Sequence, residues 1–169
     1  MIARFIASAE AVGASIKRFS TLAAAMECIR EYAADKLATT SHLPEEIRTS
    51  LRGLRFASPE QTDQADLGIS IAQAGVAQTG SLLLDLATPS ERSATALPPV
   101  HLVILRASTI VPDLYALHDT LRDALGSPQN AYLSLITGPS RTADIERVLT
   151  IGVHGPKELH ILIVEGDQP

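Results

Sequence analysis

Apolar positions along the chain switch repeatedly between a helical period and short continuous runs, the pattern of helices alternating with strands. Arg4 to Val12 reads as a short helix ended by Gly13, and Ala14 to Phe19 as a strand. Ser20 or Thr21 can cap a helix to about Lys36, with Leu22, Met26, Ile29, Ala33 and Leu37 on one face. A short strand over Leu37 to Thr40 is followed by a helix over Pro44 to Leu54, with Glu45 and Glu46 where the helix dipole favours acids. Ala57 to Ala65 is polar and reads as a loop. Two apolar runs, Leu67 to Ala72 and Ser81 to Leu86, are joined by Gln73 to Gly80, a glycine-punctuated connection that fits either a hairpin-like excursion or a binding loop. The pattern then predicts a loop over Ala87 to Pro99 and a buried strand over Val100 to Arg106. A helix over Pro112 to Leu125 carries Leu114, Leu117, Leu121 and Leu125 in register. Ala131 to Thr137 reads as a strand, Ile145, Val148 and Leu149 as the stripe of an amphipathic helix, and Leu159 to Glu165 as the last strand. Such alternation predicts an α/β fold with a mostly parallel sheet covered by helices.

At 169 residues the chain has the size of one domain, spanning 1–169. No segment approaches the roughly 20 uninterrupted apolar residues of a membrane span. Arg4 and Glu10 interrupt the first apolar stretch, so it does not read as a signal peptide, and a soluble cytoplasmic protein is expected. The lone Cys28 argues against an internal disulfide, a cysteine zinc site or a self-sufficient iron–sulfur cluster, so no cofactor is expected in this chain. A net charge of -5 with 4% aromatic residues argues against a nucleic-acid partner. Arg48, Arg52 and Arg55 read as a solvated helix face. His42, His101, His118, His154 and His160 are dispersed without the spacing of metal ligands.

Candidate chemistry concentrates in Ile136 to Glu146, where an apolar strand breaks at Gly138-Pro139 and a helix restarts. The first N–H groups of that helix suit a carboxylate or phosphate, and Arg141 adds a planar fork of donors beside Ser140 and Thr142. This reading leans on the tendency of ligands to collect at the carboxyl ends of strands in open sheets. The plainer alternative is that Ser140 or Thr142 caps the helix while Arg141 pairs with Glu146. Gln78-Thr79-Gly80-Ser81 is a second polar cluster whose glycine lets backbone approach a ligand, and beside the Ser140 mouth it would form the opposing wall of one crevice. His154, in the turn Gly152 to Lys157, is either a neutral acid, base or anion donor or an imidazole held by backbone. Glycine-rich dinucleotide and nucleotide motifs and the zinc-protease motif are missing, and Thr142 stands where a nucleophile elbow has its second glycine.

Four blocks in order resemble a known family: Gly75-Val76-Ala77-Gln78-Thr79-Gly80-Ser81, Leu97-Pro98-Pro99-Val100-His101-Leu102, Thr137-Gly138-Pro139-Ser140-Arg141-Thr142-Ala143-Asp144-Ile145-Glu146, and Gly152-Val153-His154-Gly155-Pro156-Lys157-Glu158-Leu159-His160. These resemble the marks of the lactate utilisation protein C family, the LUD domain, and run from about residue 66 to 165. Members commonly have Glu where this chain has Gln78, and usually a longer N-terminus. The resemblance implies the three-layer α/β architecture of ribose-phosphate isomerases, glucosamine-phosphate deaminases and CoA transferases. It implies a part in oxidising L-lactate to pyruvate beside two larger iron–sulfur proteins, this chain being the accessory subunit without clusters. A small carboxylate or phosphate would then be held by Gly138, Ser140, Arg141 and Thr142, with Gln78, Thr79, Gly80 and His154 around it. Two alternatives stay open: a self-contained enzyme acting on a phosphosugar, acyl-CoA or folate-type substrate, by fold analogy, and an interaction protein whose loops dock partners without a ligand.

Overall fold

The computed structural model describes residues 1–126, 132–140 and 155–166. Helix α1 (Ile2–Ala11) leads through Gly13, at φ 93°, into β1 (Ser15–Phe19). Helix α2 (Leu22–Ala33) starts at Thr21, whose hydroxyl accepts a hydrogen bond from the Ala24 amide at 3.2 Å. Then follow β2 (Leu37–Thr40), α3 (Glu45–Ser50), β3 (Arg55–Phe56), β4 (Leu67–Ile71), β5 (Ala74–Val76) and β6 (Ser81–Asp85). Helix α4 (Pro89–Ala96), β7 (Val100–Arg106), β8 (Ile110–Val111), α5 (His118–Gly126), β9 (Leu133–Ile136) and β10 (Glu158–Val164) complete the described elements.

Four expectations are corrected. The Ser, Thr and Pro content of Ala87 to Pro99 suggested a loop, yet Thr88 and Glu91 form a reciprocal capping box with Pro89 in the first turn, and that local pairing nucleates α4. The helix from Pro44 stops at Ser50, because the turn at Gly53 (φ 96°) delivers the chain to the edge strand β3. The polar stretch after it contains a 3-10 segment, Pro59–Gln64. The Pro112 to Leu125 stripe is interrupted: Tyr115–Leu117 is a 3-10 turn, so Leu117 is buried while Leu114 stays exposed. The helix carrying Ile145, Val148 and Leu149 lies outside the described residues.

The strands form two sheets. Six parallel strands run in the order β1-β10-β7-β4-β2-β3, which accords with the expected α/β class and mostly parallel sheet. The second sheet, β8-β5-β6-β9, pairs β6 antiparallel with both β5 and β9. The connection after β4 therefore leaves the main sheet at Ala72-Gln73 and returns as a hairpin. Helices α2 and α3, with Leu51 just after α3, cover one face of the main sheet, packing Met26, Ile29, Ile47 and Leu51 on Leu67, Ile69, Leu102 and Ile104. The other face receives α1 and the small sheet, where Phe5, Leu82 and Leu84 meet Val103, Leu105, Ile161 and Ile163. Leu117, from the 3-10 turn, and Leu121, from α5, cover the outer side of the small sheet. Among the described residues no helix is long and apolar enough to cross a membrane.

Two positions make this packing testable. Gly68, on β4, faces α4, and a Cβ there would run into the carbonyl oxygen of Ala94. Gly68→Ala should lower stability by about 1–3 kcal/mol in urea unfolding, since backbone on both sides must move; an unchanged midpoint would show that α4 yields freely. His101, paired across the ladder with Gly68, is 1% exposed, and its Nε2 lies 2.9 Å from Ser70 Oγ. Burial pulls its pKa down from 6.5 to about 4, so the folded imidazole is neutral at pH 7. The unfolded chain then takes up this proton first, and His101 costs stability as pH falls from about 6.5, levelling off below about 4. Proton NMR should find the imidazole shifts of His101 flat down to about pH 5; a midpoint near 6.5 would contradict the buried, neutral state.

Candidate functional site

The turn Ala77 to Gly80 closes the β5–β6 hairpin, with the Gly80 amide bonded to the Val76 carbonyl at 2.8 Å. Because β6 pairs with β9 in the register Leu82 to Ile136, Ser81 is brought beside Thr137 at the break of the next motif. Their hydroxyls lie 2.7 Å apart, and Thr79 Oγ1 lies 2.7 Å from Ser81 Oγ on the other side. Three hydroxyls joined by two hydrogen bonds leave one O–H proton uncommitted, so an end of this chain can donate to an added acceptor. Thr137 is exposed and Thr79 half-buried, which keeps both ends within reach of solvent. Gln78 is exposed; its backbone is tied to Pro112 (3.1 Å), while its side chain makes no hydrogen bond among the described residues.

Two glycines of these blocks pack tightly against the start of the chain. Gly80 (φ 68°) and Gly138 (φ 69°) both adopt the left-handed conformation, and a Cβ on Gly80 would strike the Ala9 backbone. A Cβ on Gly138 would lie 2.5 Å from the Val12 carbonyl oxygen. What approaches these glycines is α1 and the residue that follows it. Ser8 reinforces the contact, its hydroxyl donating to the Ala77 carbonyl at 2.9 Å.

The Gly-Pro-Ser segment also meets the fourth block. The Ser140 amide donates to the Pro156 carbonyl at 2.8 Å, and a Cβ on Gly155 would lie 3.0 Å from Ser140 Cβ. The Lys157 and Glu158 amides in turn donate to the Pro99 carbonyl, at 2.8 and 3.2 Å, which joins the second block. All four motif blocks are thus linked in one chain of contacts. Arg141, Thr142 and His154 lie outside the described residues.

This meeting point lies elsewhere than the strand-end tendency suggested. β9 belongs to the small sheet and runs antiparallel to β6, and its carboxyl end reaches the amino-terminal ends of β7 and β10. The rule for open parallel sheets therefore does not support Ser140 as a ligand residue. Hydroxyls and backbone amides supply the polar character here; among the described residues no cluster of three His, Cys, Asp or Glu is placed to hold a metal.

A cleft that the motifs did not point to begins at the carboxyl end of β2. Thr40, Ser41, His42 and Leu43 open it, and Glu45, Arg48, Leu51 and Arg52 line it as it runs along α3 toward Phe56. Arg48, Arg52 and Arg55 are all exposed, but only Arg48 lies on α3, Arg52 following it and Arg55 standing on β3, so they do not form the expected helix face; Arg48 and Arg52 border this cleft. The signal was present in Arg48-x-x-x-Arg52, but nothing local shows that Ser41 and Phe56 close the space around it.

Comparison with known proteins agrees with this architecture. The family model described as the LUD domain matches residues 2–164. Lactate utilization protein C of Halalkalibacterium halodurans is 36% identical over 138 residues, 78% of this chain and 58% of that protein. Lactate utilization protein C of Bacillus subtilis is 36% identical over 107 residues, 62% of this chain and 45% of the other. The uncharacterized protein YkgG of Escherichia coli is 38% identical over 107 residues, 62% of this chain and 46% of its own length. The chain spans about half the length of the curated relatives it matches. A crystal structure of a DUF162 family protein from Deinococcus radiodurans superposes with a TM-score of 0.66 at 18% identity, covering 96% of this chain and 95% of that one, and so shares the fold. With the family model extending over nearly every described element, from α1 to β10, this chain belongs to the LUD domain family.

Proposed function

We propose that this chain acts in lactate utilisation as the component without iron–sulfur clusters, and that it binds a small carboxylate or other anion where its four motif blocks meet. The observation that carries the reading is the convergence of those blocks: residues far apart in sequence are joined through Thr79, Ser81, Thr137, Ser140, Pro156 and Pro99. The names of the relatives supply the pathway. In this proposal Arg141 binds the carboxylate as a bidentate fork, the uncommitted hydroxyl proton of the Thr79–Ser81–Thr137 chain donates to it, and Thr142, Gln78 and His154 complete the surroundings. Oxidising L-lactate to pyruvate releases two electrons and two protons. This chain, with one cysteine, binds and orients while the larger iron–sulfur partners take the electrons.

The test is lactate-dependent dye reduction by the cluster-bearing partners, co-expressed and purified anaerobically with and without this chain. The proposal expects activity to require the chain, and unchanged reduction in its absence would remove the accessory role. Arg141→Ala should raise the half-saturating lactate concentration about tenfold or more, the worth of a charge-assisted hydrogen bond. Wild-type saturation in that variant would remove the site and leave the subunit role standing. In thermal unfolding of this chain alone, a carboxylate present at about 100 times its Kd should add about 2.7 kcal/mol.

A further inference from the structure

The cleft along α3 is a second candidate binding site, and among the described residues none of the four motif blocks contributes to it. Its volume of about 460 Å³ lies within the usual range for small-molecule sites, roughly 300–1,000 Å³. It opens at the carboxyl end of a strand of the parallel sheet, the edge where α/β proteins usually place ligands, whereas the motif cluster sits at the opposite edge.

Its polar groups are left available. Ser41 is 6% exposed and lines the cleft, its amide bonded to the Ile69 carbonyl at 3.2 Å, and its hydroxyl has no hydrogen-bond partner among the described residues. No fully buried side-chain polar atom of the described residues lacks a partner, so the small exposed part of Ser41 includes its hydroxyl, at the cleft wall. Two other cations at this edge among the described residues are engaged: Arg18 binds Glu165 at 2.6 Å, and Arg106 binds Glu46 at 3.0 Å. Within the cleft, Glu45 lies 3.7 Å from Arg48 and offsets its charge. The guanidinium of Arg52 has neither hydrogen bond nor ion pair among the described residues, and His42, which also lines the cleft, has no side-chain partner among them. Besides Thr40 and Gly53, the rest of the lining is apolar: Leu43 and Leu51 are buried, Leu54 is half-buried, and Phe56 is 44% exposed.

We infer that this cleft binds an organic anion, an oxyanion group carried on an apolar body about the size of one ring. Arg52 takes the oxyanion through its planar fork, with Ser41 and His42 as further donors. The body lies on Leu54 and Phe56, where ring stacking favours a flat apolar group. A bare inorganic anion gains the first contact and forgoes the second.

The test uses phenyl phosphate as probe, with inorganic phosphate and phenol as half-probes, followed by amide chemical shifts of the full chain. Phenyl phosphate should shift Ser41, His42, Arg52 and Gly53 saturably while Gly80, Thr137 and Ser140 stay still, and should bind about tenfold more tightly than either half-probe. Arg52→Gln should weaken phenyl phosphate about tenfold. Phe56→Ala should weaken phenyl phosphate several-fold and leave inorganic phosphate unchanged. Both side chains are exposed, so the variants are expected to keep the dispersed spectrum of the folded chain. No saturable shifts around Ser41 and Arg52, or wild-type affinity in both variants, would overturn the inference. Because the expected shifts fall at residues 41–53 and none at Gly80, Thr137 or Ser140, the inference stands or falls independently of the site proposed where the motif blocks meet.

Discussion

The arrangement depends on burying β7 and β10 on both faces. Leu102, Ile104, Leu162 and Val164 pack beneath α2 and α3, while Val103, Leu105, Ile161 and Ile163 pack against α1 and the small sheet. Alternate residues of each strand belong to different cores, so a slip of one residue would exchange the two sets, and register is fixed with little latitude. The same register opposes Leu159 to His101 and aligns the entrances of the two strands, which lets Lys157 and Glu158 share the Pro99 carbonyl. Geometry at the motif cluster is thus inherited from the packing of the core behind it.

The two edges of the main sheet have different chemistry. At the amino-terminal edge the contacts are hydroxyls and backbone amides, drawn together by a hairpin and a broken strand. At the carboxyl edge they are guanidinium and carboxylate groups, most of them already paired. Neutral donors in a partly buried setting favour orientation of a small polar group, whereas an unpaired guanidinium beside exposed apolar surface favours a larger anion.

Much of the element order was legible because it is encoded locally. Leu37 to Thr40 and Val100 to Arg106 read as strands from their apolar runs and are strands with those bounds, and Thr21 caps α2 as its side chain allows. The error at α4 was also local, since Thr88 and Glu91 spell a capping box that composition obscured. The division of strands between two sheets was not legible. Leu67 to Ile71 and Ser81 to Asp85 are similar apolar runs, and only their partners, β7 and β9, separate them. At the motif cluster the sequence did not show that Gly80 and Gly138 pack against the first helix and the residue after it, more than sixty residues away in the chain. The α3 cleft was invisible for the same reason: Ser41, Arg52 and Phe56 become neighbours through the crossover to an edge strand.

That helix has a consequence for how the domain can be divided. The recognisable motifs begin near residue 66, which invites the view that a family signature and a removable leader are joined end to end. Yet the backbone of residues 8 to 12 occupies the space that Gly80 and Gly138 leave by lacking side chains, and Ser8 ties it to the hairpin turn. The first helix is therefore the mould against which both loops are cast. Inheritance has to carry it with them as one unit, since a shift of its backbone would be felt first in turns encoded far downstream.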